Sequence, residues 1–189
     1  MSTPVFRHAT LADVSKVVDL VQSAYRGDRS RAGWTTEADL VEGQRIDEPM
    51  LSELLARPRT IVLLAEDNGL VACCELAMPD DSTTAYFGML AVRPGLQSAG
   101  LGRRVLDEAE RTVVAEWNAT ALQLVTLHVR SEVIAWYERR GFELTGETRP
   151  FPYGDERYGR PTRDDLLLVS MKKSLTAPNP HPLQSRVGL

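Results

Sequence analysis

The sequence predicts a mixed α/β fold, a mostly antiparallel central sheet flanked by helices. Three observations carry this. Between Thr60 and Val92 three apolar, strand-like runs follow one another across short turns, the first of them Asp67-Asn68-Gly69, a strong hairpin signal, so these strands pair back antiparallel. After them, Val105, Leu106, Ala109, Val113 and Val114 recur at helical spacing up to about Trp117. That helix lies between the strands Thr84–Val92 and Leu122–Val129, which makes it the crossover of a parallel pair.

The elements can be justified in order. Val5 to His8 reads as a first strand. Thr10 is a good helix cap with Asp13 three residues on, and the helix that follows puts Leu11, Val14, Val17, Val18, Val21, Ala24 and Tyr25 on one face for the core. Residues 26 to 48 are polar and broken, with a short helix expected from Thr36. Pro49 suits the first turn of a helix to about Arg57. Thr60 to Glu66, Leu70 to Ala77 and Thr84 to Val92 form the meander. Ser131 is expected to cap a helix bearing Val133, Ile134, Trp136 and Tyr137, which Gly141 ends. Phe142 to Thr145 and Leu166 to Met171 are the last strands. Residues 1–173 make one domain, and the proline-rich, polar segment 174–189 is read as a flexible tail.

Composition narrows the function. Hydrophobic residues at 43% over 189 residues suffice for a core, and a net charge of −4 argues against a general nucleic-acid or anionic-membrane binder. No apolar run has the length of a membrane span, and the first residues lack the pattern of a secretory signal, so the expectation is a cytoplasmic protein. Cys73 and Cys74 are adjacent and point to opposite faces of a strand; they read as buried thiols rather than nucleophiles or metal ligands. The three histidines, His8, His128 and His181, show no metal-ligand spacing, and no metal is expected.

The chemistry concentrates after the third meander strand. Pro94-Gly95 stops that strand, and a helix opens at about Ala99 to Gly102. The first backbone N–H groups of a helix lack partners within it and sit at the positive end of its dipole, which suits an anion, most often a phosphate. Gly100 and Gly102 allow a close approach, and Arg103 and Arg104 add positive charge. Arg103-Arg104 after the last glycine rules against a Walker A loop, and two glycines do not make the dinucleotide fingerprint. The plainer reading is a glycine-rich helix start with no ligand.

The pattern Gln97-x-x-Gly100-x-Gly102 after Leu90-Ala91-Val92-Arg93-Pro94 closely resembles the pyrophosphate loop of the GNAT superfamily of N-acetyltransferases. A second block, Ser131 to Phe142, is similar to the family segment ending Tyr-x-x-x-Gly-Phe, with Arg130 or Ser131 and Val133 where many members carry an Asn and a small residue. The element order also fits, over about residues 4 to 173. The resemblance implies a GNAT-like sheet in which the strands around the cofactor are splayed. It implies acetyl-CoA as co-substrate, held by Met89, Leu90, Ala91, Val92, Gln97, Ser98, Ala99, Gly100, Leu101, Gly102 and Arg103. A backbone N–H at Met89 to Ala91 would serve as oxyanion donor, and the pantetheine arm would pair with the open strand edge.

Direct acyl transfer needs an acid for the departing thiolate and a base for the amine. Tyr137 matches the family's acid; otherwise it is a tyrosine anchoring the core. Glu75, a carboxylate in the apolar strand Val71 to Ala77, is the leading base, against an ion-paired or sheet-edge role. His128 is the weaker alternative. For the acceptor, the segments Trp34–Asp39 and Phe151–Pro161 are where the family varies its pocket, and Trp34, Glu37 and Tyr153 are candidate substrate contacts, Trp34 being otherwise a cover for the core edge. Their acids and aromatics suit a small cationic amine, while Arg29, Arg31, Arg157 and Arg160 suit an acceptor that also carries a carboxylate; the residues leave both open. The expected function is acetyl transfer to the primary amine of a small molecule. The alternative is a non-catalytic acetyl-CoA sensor acting on a protein partner, which would keep Gln97, Gly100 and Gly102 but would not need Tyr137. The fold would permit a homodimer through a sheet edge, although nothing in the sequence marks one.

Overall fold

The structure, a computed structural model, describes residues 3–33, 35–97 and 100–175. Strand β1 (Val5–His8) leads through a single 3-10 turn, Leu11–Asp13, into helix α1 (Val14–Tyr25). The Asp13 carboxylate fixes that turn. It accepts from the Thr10 backbone N–H at 2.9 Å and hydroxyl at 3.0 Å, and from both Arg7 terminal nitrogens at 2.8 Å. Leu11, expected on the buried face, belongs to the turn rather than to the α-helix and is 69% exposed, because the tighter winding rotates it off the helical stripe.

A four-residue helix, α2 (Gly27–Ser30), follows, and none starts at Thr36. The Thr36 hydroxyl lies 2.7 Å from that of Ser30 and accepts from the Ala38 N–H, so it stabilises a turn that is not continued. Next come β2 (Val41–Glu42) and α3 (Glu48–Ala56), whose cap is Asp47 accepting from the Met50 N–H at 2.8 Å. The meander is β3 (Thr60–Glu66), β4 (Leu70–Ala77) and β5 (Thr84–Val92), as expected. Then come α4 (Leu101–Trp117), β6 (Ala121–Leu127), α5 (Ser131–Glu138), β7 (Glu143–Pro150), β8 (Arg160–Pro161) and β9 (Leu167–Ser174). The cap of α5 is Arg130 rather than Ser131. The short β2–β8 ribbon has no period long enough to read in a sequence.

The main sheet has the order β1-β3-β4-β5-β6-β9-β7, antiparallel everywhere except the β5–β6 pair. Its two faces carry separate cores. Helices α1 and α3 cover the first, with Val62, Leu64, Cys73, Met89 and Ala91. Helices α4 and α5 cover the second, with Leu63, Cys74, Phe87, Leu90 and Tyr137. Cys73 and Cys74 therefore point to opposite faces, both fully buried, and burial pushes the Cys73 thiol up to about 12 and that of Cys74 well above its ordinary value.

Two irregularities of β5 open the sheet. Across from β4 its register slips by one residue, with Cys73 opposite Ala91 but Glu75 opposite Gly88. The extra residue is a bulge, and Met89 within it has φ +50°, a left-handed conformation rare for a bulky side chain. On its other side β5 pairs with β6 only at Thr84, Ala85 and Tyr86. Beyond Tyr86 the parallel strands diverge and a cleft opens between them. No helix among the described residues is long and apolar enough to cross a membrane.

Candidate active site

The cleft between β5 and β6 widens into a cavity of about 500 Å3 that passes through the sheet. Its wall includes both carboxylate and phenol candidates, Glu75 and Tyr137, one from each face of the sheet. The Met89–Leu90 bulge lies between them, and Leu124 to Leu127 form the opposite bank.

Glu75 shares the α1/α3 face with Cys73, because side chains alternate along β4. It is half-buried, and no side chain among the described residues hydrogen-bonds its carboxylate. Burial raises its pKa above the ordinary 4.5, against the opposing pull of Arg45 and Arg57. Tyr86 stands beside it and is likewise raised, by burial first and then by the charge of Glu75. The Tyr86 ring occupies the space over Gly88, where an added Cβ would lie 2.5 Å from it. Gly88 thus makes room for the ring on the bulged strand.

Tyr137 is buried at 8% exposure among aromatic edges, with centroids 4.9 Å from Trp136, 5.4 Å from Phe142 and 6.3 Å from Phe87. Core packing holds the ring, and its hydroxyl makes no hydrogen bond with any described residue, so it is not anchored there by a hydrogen bond. Burial raises its pKa well above 10, which keeps it protonated and able to donate.

At the end of β5 the chain turns at Pro94-Gly95 and enters α4 through Gly100, whose φ is +78° and around whose absent Cβ no atom of the described residues lies within 4 Å. A Cβ at Gly102 would meet the Trp136 ring at 3.5 Å. Arg140 stacks on that ring at 3.6 Å and donates to the Trp136 carbonyl, while its buried Nε has no partner and the neighbouring charges of Arg139 and Arg103 help lower its pKa after burial. Gln97 does not project freely from the loop. Its amide donates to the Val92 carbonyl and to the Thr35 hydroxyl, both at 3.0 Å. Thr35 in turn donates to the Ala24 carbonyl and its own carbonyl accepts from buried Arg130 at 3.0 Å. The glycine loop, α1 and the start of α5 therefore meet at Thr35. Ser98, Ala99, Trp34 and residues 176–189 lie outside the described residues.

On the acceptor side the structure rearranges the candidates. Glu37 lines the cavity, but it is held by Arg26 at 2.6 Å and Arg130 at 3.6 Å. Tyr153 stands outside the cavity, its hydroxyl accepting from the Leu166 N–H and donating to the Arg163 carbonyl, while Phe151 and Tyr158 are on the wall instead. His128 is bound at the strand by Leu167 and does not line the cavity. Arg29 pairs with Asp19 and Arg31 with Asp39, both away from it. Sequence reading missed Tyr25, Arg45 and Tyr86. Tyr25 donates to the Leu90 carbonyl at 2.6 Å and so holds the bulge from the α1 side. The one sequence signal for the bulge was a glycine, Gly88, inside a strand. Among the described residues no group of three or more His, Cys, Asp and Glu is placed to hold a metal ion.

Comparison with known proteins bears on the family and the fold. The family model described as the acetyltransferase (GNAT) family matches residues 17–142. An S-alkylcysteine N-acetyltransferase of Bacillus subtilis is 30% identical over 152 residues, 76% of this chain and 81% of that protein. Among solved structures, the ribosomal-protein-S18-alanine N-acetyltransferase of Escherichia coli superposes with a TM-score of 0.66 at 17% identity, covering 94% of this chain and 97% of that one. A spermidine N-acetyltransferase chimera from Vibrio cholerae gives 0.65 at 17% identity, covering 92% and 96%. These two show the shared fold.

Proposed function

The chain belongs to the GNAT acetyltransferase family, and from that premise we propose that it moves the acetyl group of acetyl-CoA to the primary amine of a small molecule by direct attack. The observation that carries the reading is that Glu75 and Tyr137 come from opposite faces of the sheet to line one cavity, neither with a side-chain hydrogen bond among the described residues. The fit to acetyl-CoA rests on three features. The β5 edge beyond Tyr86 has no strand partner, and an extended ligand arm would satisfy it. Gly100, with no described atom near its absent Cβ, gives a diphosphate room at the α4 N-terminus, while Gly102 lets the helix pack close to Trp136. Arg103, Arg139 and Arg140 crowd positive charge next to it, which a phosphate would relieve.

Acetyl-CoA supplies an activated acyl group, and the chain supplies placement and protons. In this reading a backbone N–H of the bulged segment Met89 to Ala91 meets the oxyanion charge as it develops. Glu75, with its raised pKa, takes a proton from the incoming ammonium. Tyr137, held protonated by burial, gives one to the departing thiolate. Tyr86 and Glu37 shape the approach. A small acceptor is favoured by a cavity of about 500 Å3 whose lining includes Phe151, Tyr158, Met50 and Leu54. The test is mass spectrometric detection of acetylated product after incubation with acetyl-CoA and a panel of amino acids, polyamines and peptide N-termini. Product with a small amine supports the reading. Product with peptide N-termini alone removes the small-molecule acceptor, and acetyl-CoA binding without any product favours a sensor.

A further inference from the structure

Arg45 lies between β2 and α3 on the wall of the cavity. Its position is fixed from two sides. Its backbone N–H donates to the Gln22 side chain at 2.5 Å, and its guanidinium lies over the Tyr25 ring, 5.5 Å from the centroid. Tyr25 is itself tied to the Leu90 carbonyl in the bulge. The guanidinium is therefore held near the strand segment where the acyl group would sit.

The other two enclosed arginines have a carboxylate, since Arg26 and Arg130 share Glu37. Arg45 has none within ion-pair distance among the described residues, and its guanidinium lies over the Tyr25 ring. A guanidinium half out of water with a fork of free donors matches a carboxylate in two parallel hydrogen bonds. Further out, Arg57 and Arg149 line the same cavity with no ion pair among the described residues, against Glu53 and Glu75. Such a wall repels a polycation. It attracts an acceptor with one negative group. Ile46, Met50, Leu54 and Phe151 give the rest of the wall an apolar surface for a side chain.

We propose that Arg45 is the carboxylate subsite of the acceptor pocket and that the acceptor is an amino acid with an apolar side chain, its amine directed to Glu75. This rests on the cavity being the acyl-acceptor site. Arg45 and Glu75 line the same cavity, so one small zwitterion can present its carboxylate to the first and its amine to the second.

The test compares L-methionine, L-methioninamide, 3-methylthiopropylamine and spermidine as acceptors for the full chain with acetyl-CoA. Two charge-assisted hydrogen bonds should favour methionine over its amide by about 30-fold or more in kcat/KM. Arg45→Gln should bring that ratio close to one, and Arg45→Lys should restore part of it. If the amide, the amine or spermidine is used as well as methionine by the wild type, the subsite is wrong while acetyl transfer stands. If Arg45→Gln lowers all acceptors equally, Arg45 is structural and the proposal falls. If no acceptor is acetylated, the transfer reading fails, and calorimetric titration of methionine and its amide into the CoA-loaded protein still decides the subsite. Equal or absent binding of the two overturns it, and a methionine preference lost in Arg45→Gln upholds it.

Discussion

At the α4 end of the cleft, the residues proposed to hold acetyl-CoA follow one another in a single stretch from Met89 to Arg103. At the acceptor end, Arg45, Glu75, Tyr86 and Phe151 come from a loop, two strands and a second loop that meet only in the folded molecule. The first end offers mainly backbone groups, a bulged strand edge and a helix N-terminus, and its glycines keep side chains out of the way. The second offers side chains on a bent sheet, with charge set by which arginines already have partners. A ligand common to many enzymes can be bound by backbone geometry, whereas a particular acceptor has to be read by side chains. The two ends are joined at Thr35, to which both Gln97 and Arg130 are bonded.

Four substitutions test that division, from the largest effect down. Gly100→Asp places a carboxylate where the diphosphate would bind and strains a residue at φ +78°. Losing two charge-assisted contacts costs about 4 kcal/mol, so acetyl-CoA affinity by calorimetry should fall about 1,000-fold. Unchanged affinity would detach the glycine loop from the co-substrate. Tyr137→Phe should leave both KM values in place and lower kcat about 100-fold, the size of a lost general acid. A full rate from this variant would remove Tyr137 from the chemistry.

Glu75→Gln should lower kcat/KM about 30-fold at neutral pH and abolish the rise of the rate as pH climbs through the Glu75 pKa. That rise lies above 4.5, because burial raises the group. The same shift has a consequence for stability. A carboxyl with a raised folded pKa stabilises the fold below its unfolded value of 4.5, and that contribution is lost as pH rises through the folded value. The variant should therefore gain melting temperature over the wild type at neutral pH and not at acid pH. A gain at both would mean that the titration of Glu75 is not the cause. Smallest, Thr35→Val keeps the shape and removes the hydroxyl that Gln97 and Ala24 use. It should cost about 1 kcal/mol in denaturant unfolding and raise the KM of acetyl-CoA a few-fold. An effect on acceptor KM alone would mean that Thr35 does not join the two ends.

The contrast between the ends also explains what was legible in the sequence. The meander, the crossover helix and the glycine loop are contiguous patterns, and each element lies where its period and turn residues place it. Glu75 and Tyr137, singled out as a charge in an apolar strand and as part of a motif, both line the cavity, and their roles there are proposals. Arg45 was not legible, because its meaning comes from the Tyr25 ring beneath it and from its lack of an ion-pair partner among the described residues, neither of which a local sequence pattern records. Glu37 and Tyr153 were singled out by residue type, but the ion pairs of the first and the backbone hydrogen bonds of the second depend on long-range contacts. The short helix expected at Thr36 failed for a local reason, since the threonine hydroxyl closed a turn. The bulge at Met89 left one trace, Gly88 inside a strand, because apolar composition itself carries no record of a one-residue slip.

The central claim is that the β5–β6 cleft carries out acetyl transfer with Tyr137 as the proton donor. Its most direct measurement is acceptor-dependent release of CoA thiol, followed at saturating acetyl-CoA for the wild type and for Tyr137→Phe, with acetyl-CoA affinity measured on both. The account predicts release by the wild type that requires an amine, and a variant that binds acetyl-CoA equally well but turns over about 100-fold more slowly. Equal turnover by the two proteins, or release independent of any amine, would contradict it.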